Sequence, residues 1–243
     1  MTPLAEKMLA DAAGLAAPIS EAAPQGADIS YDADFEVVRV EIDKLTTMAG
    51  EVPNWKEIIR SGDELTTTRS KDMRLVVWAA GARLKIDGIA GLARGLAGIK
   101  VVCEAHWDGM FPPLKRAKAR GNLASWLGDI ALADIGAYEP KASDREAFEA
   151  LNEIFNETDE LLSTRLGDAY QGMGPIRSLL RDKLRMIPAA EAPKPAAAAA
   201  PVAAAPAAAA APVAAAPPAM DFAAPTVPAV TGAADALPAL RAL

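Results

Sequence analysis

The sequence predicts an all-α, multi-helix domain followed by a disordered Ala/Pro-rich linker. Three observations carry that prediction. Apolar residues recur at steps of three and four from about residue 32 to residue 187, the spacing of one helix face. No alternating stretch of four or more residues rich in β-branched types interrupts them. Residues 195–219 then contain only Ala, Pro and Val, a composition with too little bulk and too many prolines to build a core. The chain therefore divides into an N-terminal segment (1–17), a helical domain (18–187), an Ala/Pro-rich linker (188–230) and the possible start of a C-terminal helix or domain (231–243).

Residues Ala5 to Leu15 suit a short Ala-rich helix, and 18–31 read as an extended arm punctuated by Pro24 and Gly26. Asp32 or Asp34 caps a helix to about Met48, with Phe35, Val38, Ile42 and Leu45 on one face. Asn54 with Glu57 resembles a capping box opening a helix to about Leu65. Ser70 is the expected N-cap of the next helix, and Asp72 in its first turn suits the positive end of the dipole. Met73, Val76, Val77, Ala80 and Leu84 form its stripe; Leu75, Trp78 and Ala82 widen it, so this helix is expected to be buried on most of its circumference. It ends at the Asp87-Gly88 turn pair.

A second apolar series follows at Ile89, Leu92, Leu96, Ile99, Val102, Cys103 and His106, with Gly91, Gly95 and Gly98 along it. Each helical glycine costs roughly 1 kcal/mol against alanine, tolerable where bare backbone lets a neighbouring helix approach closely. Phe111-Pro112-Pro113 stops the chain before a helix over about 117–132. Ser143 with Glu146 reads as a capping box for a long helix carrying Phe148, Leu151, Ile154, Phe155, Leu161 and Leu162. Pro175 suits a first helical position, and Ile176, Leu179, Leu180, Leu184 and Ile187 make the last amphipathic helix before Pro188.

The chain has 243 residues and a formal net charge of −7. A surplus of acid argues against nucleic acid as the main partner. Cys103 is the only cysteine, which excludes an intramolecular disulfide and fits a reducing compartment. Residues 1–18 lack the uninterrupted apolar core of a secretory signal. The spaced glycines at 91, 95 and 98 resemble a membrane dimer motif, but Arg94, Lys100 and Glu104 argue against membrane insertion. A cytoplasmic location is expected.

Candidate chemistry is sparse. His106 is the only histidine, so no two-histidine metal site exists, and it reads as a packed or capping group near a helix end. Cys103, three residues earlier, lies in the apolar stripe and reads as structural. Lys115, Arg116, Lys118 and Arg120 form the one basic cluster, read as a solvated loop and helix start. Glu157, Asp159 and Glu160 read as a solvated helix face. Trp55, Trp78, Trp107 and Trp126 are expected to place their rings in one common core. No catalytic, cofactor-binding or metal residues are assigned, and a binding role rather than an enzymatic one is expected.

Five anchors occur in order: Gly26-Ala27-Asp28, Trp55, Ser70-Lys71-Asp72-Met73-Arg74, Trp107-Asp108 to Pro112, and Arg120-Gly121-Asn122 to Trp126-Leu127. That set resembles the N-terminal domain of the ImpA/TssA family of bacterial type VI secretion proteins over roughly residues 18–130, with Met73 where the family pattern has leucine. The resemblance implies a non-catalytic assembly component that docks on baseplate, sheath or tube subunits of the contractile tail. It also implies a homo-oligomer formed through a C-terminal region. The anchor residues Gly26, Asp28, Trp55, Ser70, Lys71, Asp72, Arg74, Trp107, Asp108, Pro112, Arg120, Asn122 and Trp126 are expected to support the fold. A regulatory adaptor unrelated to secretion, or an enzyme with an unmarked site, are the rival readings. The terminal peptide, with Leu237, Leu240 and Leu243, is expected either to continue into a longer chain or to act as a docking motif.

Limited proteolysis of the intact chain should cleave the Ala/Pro stretch first and leave a stable fragment ending near residue 187. Protection of that stretch, read by mass spectrometry of the products, would remove the linker assignment.

Overall fold

The computed structural model describes residues 1–47 and 50–188. Residues 189–230 of the linker and the terminal segment 231–243 lie outside the described residues, as does the expected helix end at Met48. Seven α-helices are described: α1 (Pro3–Ala12), α2 (Ala33–Asp43), α3 (Trp55–Thr68), α4 (Met73–His106), α5 (Ala117–Ala137), α6 (Arg145–Leu166) and α7 (Gly174–Met186). Among the described residues there is no β-strand, only two isolated bridges, Gly26 to Ser70 and Asp72 to Phe111. The all-α class read from the spacing is the class observed.

Helix α4 is a folded-back pair of arms, residues 73–87 and 89–106. Gly88 breaks it with φ +59° and ψ −136°, a conformation that suits glycine, as the Asp87-Gly88 pair predicts. The arms press together where side chains are absent: a Cβ on Gly95 would sit 2.5 Å from the Cα and Cβ of Ala80. The glycines of the second arm therefore do admit a close neighbour, and at Gly95 that neighbour is the first arm of the same helix.

The first arm lies between two apolar clusters. Met73, Val76, Val77, Ala80 and Leu84 face a large one built from α1, the second arm, α5, α6 and α7. Leu75, Trp78 and Ala82 face a smaller one with Phe35, Val38 and Ile42 of α2 and Ile58 and Leu65 of α3. The widened stripe of the sequence is thus two opposite faces, each with its own core. The tryptophans divide accordingly rather than sharing one core. Trp107 belongs to the large cluster, Trp78 and the partly buried Trp55 to the small one, and Trp126 packs against both.

Segment 1–17, set apart from the helical domain by the sequence reading, packs on it. Ala5, Met8 and Ala12 are buried in the large cluster. Glu153 on α6 fixes the helix start by accepting from the Thr2 backbone N–H at 2.6 Å. The sequence understated this helix because its buried positions are mostly alanine and methionine.

Several caps match expectation and others move. Asp32 caps α2, accepting from the Asp34 N–H at 2.9 Å. Asn54 caps α3, accepting from Glu57 at 3.2 Å, but the Glu57 carboxylate turns to Arg60 and Ser61, and Glu41 of α2 takes the Asn54 N–H instead. Ser143 does not cap the long helix. Asp144 holds that turn, accepting from the Lys141 N–H and the Tyr138 hydroxyl at once, which one serine oxygen does less well. Leu45 is exposed because α2 tightens into a 3-10 turn at Lys44–Thr46 and carries it off the buried stripe.

Gly95→Ala should destabilise the domain by about 1–3 kcal/mol, the usual effect of overpacking, although alanine is the better helix former. Gly136→Ala, where a Cβ would meet nothing within 4 Å, should be neutral or stabilising by up to about 1 kcal/mol. Urea denaturation of both variants distinguishes a packing role from a propensity role for the α4 glycines.

Candidate functional site

The anchor residues converge on the N-terminal end of α4. Between α3 and α4 the chain leaves the helix for residues 70–72 and is gripped from both sides. The Lys71 N–H donates to the Gln25 carbonyl at 2.8 Å, and the Ala27 N–H to the Arg69 carbonyl at 3.2 Å. On the other side Phe111 N–H donates to the Lys71 carbonyl at 2.9 Å, and Met73 N–H to the Phe111 carbonyl at 2.7 Å. Gly26 permits this approach. Its φ is +73°, and a Cβ there would lie 2.1 Å from the Arg69 carbonyl oxygen.

Three side chains finish the clasp. Asp72 is fully buried and is the N-cap of α4, accepting from the Arg74 N–H at 2.8 Å. Its carboxylate also receives the Arg74 guanidinium, at 3.0 Å from Nε and 2.5 Å from Nη2. Arg74 lies over the Phe35 ring at 4.3 Å and donates to the Ser30 hydroxyl at 2.9 Å. Ser30 in turn donates to Asp28 through its N–H and hydroxyl, which holds the Asp28 carboxyl below the usual carboxylate range. Lys71, also fully buried, donates its ammonium to the Thr66 carbonyl at 2.6 Å and the Leu15 carbonyl at 2.7 Å. Burial lowers its pKa to about 8.

Arg120 of α5 binds the opposite side. It is fully buried and donates to the carbonyls of Pro112 at 2.7 Å, Trp107 at 2.8 Å and Met110 at 2.6 Å, with its plane over the Trp107 indole at 4.7 Å. Burial pulls its pKa down. One guanidinium thus ties together the loop that supplies Phe111 to the clasp. The basic cluster read as solvated therefore contains one core residue. Lys115, Arg116 and Lys118 are exposed as expected.

Ser70 is not the cap. The helix begins at Met73, two residues too late for its hydroxyl to reach the first turn, and the buried oxygen has no hydrogen-bond partner. Asp108 and Asn122 are exposed and outside the clasp, while Pro112 and Trp107 are buried within it. Trp126 lies on Gly81, where a Cβ would come within 2.9 Å of the ring. His106 donates from Nε2 to the Ala16 carbonyl at 2.8 Å, and burial pushes the Cys103 thiol up to about 12. No Cys–His nucleophile pair is built there: the ring is committed elsewhere and the thiol is held protonated.

Asp159 is the residue sequence reasoning missed. Expected on a solvated face, it is buried and accepts from the Tyr170 hydroxyl, the Met173 N–H and Arg177 at 2.5, 3.2 and 2.6 Å. The signal was its place in the stripe Phe155, Asp159, Leu162, Leu166. Among the described residues no group of three or more His, Cys, Asp or Glu is placed to hold a metal. No helix among them is long and apolar enough to cross a membrane.

These partners order the effects of substitution. Ser70→Ala should leave the thermal midpoint unchanged or slightly raised, since the lost hydroxyl satisfies nothing. Asp72→Ala should cost more than the roughly 1 kcal/mol of a lost cap, because Arg74 loses its carboxylate. Arg120→Ala should be severe, about 3 kcal/mol or more, leaving three carbonyls unpaired at about 1–3 kcal/mol each. Arg120→Lys should not rescue it, since an ammonium lacks the fork.

Lys71 adds a pH signature. Its folded pKa of about 8 lies below the ordinary 10.5, so between those values the unfolded chain binds more protons at this site. The penalty is fully present below about pH 8 and fades as pH rises toward 10.5. The stability difference between the wild-type chain and Lys71→Met should therefore shift in favour of wild type across that window. A pH-independent difference, read by urea denaturation, would show that the lysine keeps its ordinary pKa.

Comparison with known proteins agrees with this geometry. Residues 16–129 match the family model described as ImpA, N-terminal, type VI secretion system, a span that contains every anchor from Gly26 to Trp126. The type VI secretion system component TssA1 of Pseudomonas aeruginosa is 27% identical over a 232-residue alignment covering 71% of this chain and 67% of that protein. The solved N-terminal domain, including the conserved ImpA_N region, of the TssA component from Burkholderia cenocepacia superposes with a TM-score of 0.60. That match covers 76% of this chain and 93% of the solved one at 21% identity, and it establishes a shared fold. With its clasp residues inside the matched span, residues 16–129 form an ImpA-type N-terminal domain, the domain that characterises the ImpA/TssA family of type VI secretion proteins.

Proposed function

We propose that this protein is a non-catalytic assembly component of a type VI secretion system, acting in the cytoplasm by docking on baseplate, sheath or tube subunits as the contractile tail is built. The observation that carries the reading is how the motif spends its polar groups. Lys71, Asp72 and Arg120 are fully buried and hold backbone carbonyls, a helix end and one another's loops. A catalytic constellation instead presents such groups to a cavity. The anchor residues then act as a clasp that fixes helices, and the surface outside the clasp does the docking. The match to TssA1, itself named as a secretion component, supports the same setting. A homo-oligomer formed through a C-terminal region completes the proposal: a tethered docking domain gains effective concentration, and a ring multiplies it.

The test is genetic and direct. Deleting the gene should abolish release of the tube protein into the medium, and the intact chain supplied in trans should restore it. The purified intact chain should bind at least one purified baseplate, sheath or tube subunit. Normal secretion without the gene would overturn the reading.

A further inference from the structure

Most lysines and arginines of the described residues hold a partner. Arg39, Arg60, Arg69, Arg74, Arg83, Lys85, Arg94 and Arg145 pair with carboxylates, and Lys71, Arg120 and Lys183 hold carbonyls. Lys56 and Arg165 stand singly without such a partner, whereas Lys115, Arg116 and Lys118 lie together without one. All three are exposed, they lie within four residues, and among the described residues none has a carboxylate within 4 Å or a side-chain hydrogen bond. In a chain with net charge −7, three neighbouring cations without a direct ion pair form a local exception, the Arg116 charge acting on Asp28 through space alone. Beside them Leu114 is 42% exposed. This short basic and apolar stretch follows the loop that Arg120 ties down, so it is displayed from a rigid base.

We propose that Leu114, Lys115, Arg116 and Lys118 form a docking surface for an acidic protein segment, with Leu114 as the apolar contact and the three cations as its rim. The proposal rests on the assembly-component reading for its biological setting and names the face that docks. Charge complementarity chooses the occupant. Nucleic-acid affinity rests on many Lys and Arg neutralising phosphates, and three such side chains on an acidic protein supply few. A membrane-binding basic cluster typically has four to eight cations. An acidic protein segment needs only a few matched charges around an apolar contact, and these steer its approach.

Two measurements test it on the intact chain. A fluorescent acidic peptide of glutamates with one leucine is titrated at low and moderate salt, beside a short DNA duplex and phosphatidylserine vesicles. The expected result is salt-sensitive peptide binding, weakened at least about tenfold in the triple variant Lys115→Glu, Arg116→Glu, Lys118→Glu, with little binding to DNA or vesicles. Unchanged thermal melting of that variant excludes misfolding; Gln at the three positions replaces Glu if it melts early. Absent peptide binding, equal affinity of wild type and variant, or tighter binding of DNA or vesicles overturns the proposal. In the second measurement a photo-crosslinker replaces Leu114 in the native host, with Ile86, another exposed apolar position, as control. Crosslinks from position 114 to an acidic stretch of a secretion subunit are expected, and equal yields from both positions count against the surface. If gene deletion leaves secretion intact, the assembly reading fails while the peptide titration still judges the patch. If deletion abolishes secretion but the folded triple variant secretes normally, the patch alone fails.

Discussion

The first arm of α4 is buried on both faces, and its N-terminal end therefore lies inside the protein. A helix end in water leaves its free N–H and C=O groups to solvent, whereas a buried end requires protein partners for each of them. The extended residues 70–72 supply those partners. Asp72 caps the arm, Phe111 receives the Met73 N–H, and the strip 25–27 holds the other edge. Helix C-terminal ends converge on the same place, and their carbonyls are taken by cations. Lys71 holds Thr66 at the end of α3 and Leu15 in the turn after α1, while Arg120 holds Trp107 and Met110 just beyond α4. Positive charge is what the negative end of a helix dipole favours. The anchor motif is in this sense a capping device assembled in three dimensions.

Such a device contributes more to specificity than to net stability. A hydrogen bond to a charged group is worth about 1.5–3 kcal/mol, while burying an ion costs several kcal/mol. The lowered pKa of Lys71 is the visible trace of that opposition: two carbonyl acceptors favour the ammonium, and burial prevails. Arg120 faces the same desolvation with three acceptors in fork geometry. A chain that placed the 107–112 loop or the 25–27 arm wrongly would strand a cation in the core. The arrangement thus penalises alternative packings more than it rewards the native one.

This explains which features were legible in the sequence. Helices with a one-sided stripe were readable, because periodicity reports burial directly; Ile176 to Leu184 and the Gly88 break are instances. The double-sided burial of the first arm was readable too, since Leu75, Trp78 and Ala82 filled the positions a surface helix leaves polar. Side-chain partners were not. Ser70 looked like a cap because serine before an apolar run is the local signature, yet the true start was set by Phe111, forty-one residues away in sequence. Lys71 and Arg120 carry no local sign of burial, as their acceptors are carbonyls, which every residue possesses. Asp159 shows the opposite case: its place in the apolar stripe is visible in the sequence, but a carboxylate there reads as solvated until its partners Tyr170 and Arg177 are known.

The same geometry bears on how such a domain binds. Ordering a loop on association consumes part of the interaction free energy, so a surface that is already fixed binds more tightly for the same contacts. Arg120 removes that loss for the segment it controls, since three of its carbonyl bonds fall between Trp107 and Pro112. Leu114 and the cations after it follow within a few residues of this anchor. Buried and exposed members of one basic run thus divide the labour. Arg120 turns inward and holds the loop, while Lys115, Arg116 and Lys118 remain in solvent without a direct ion pair. A motif that looks uniform in sequence is split by one helical turn into a structural half and a surface half, because α5 presents residue 120 to the core and residue 118 to water.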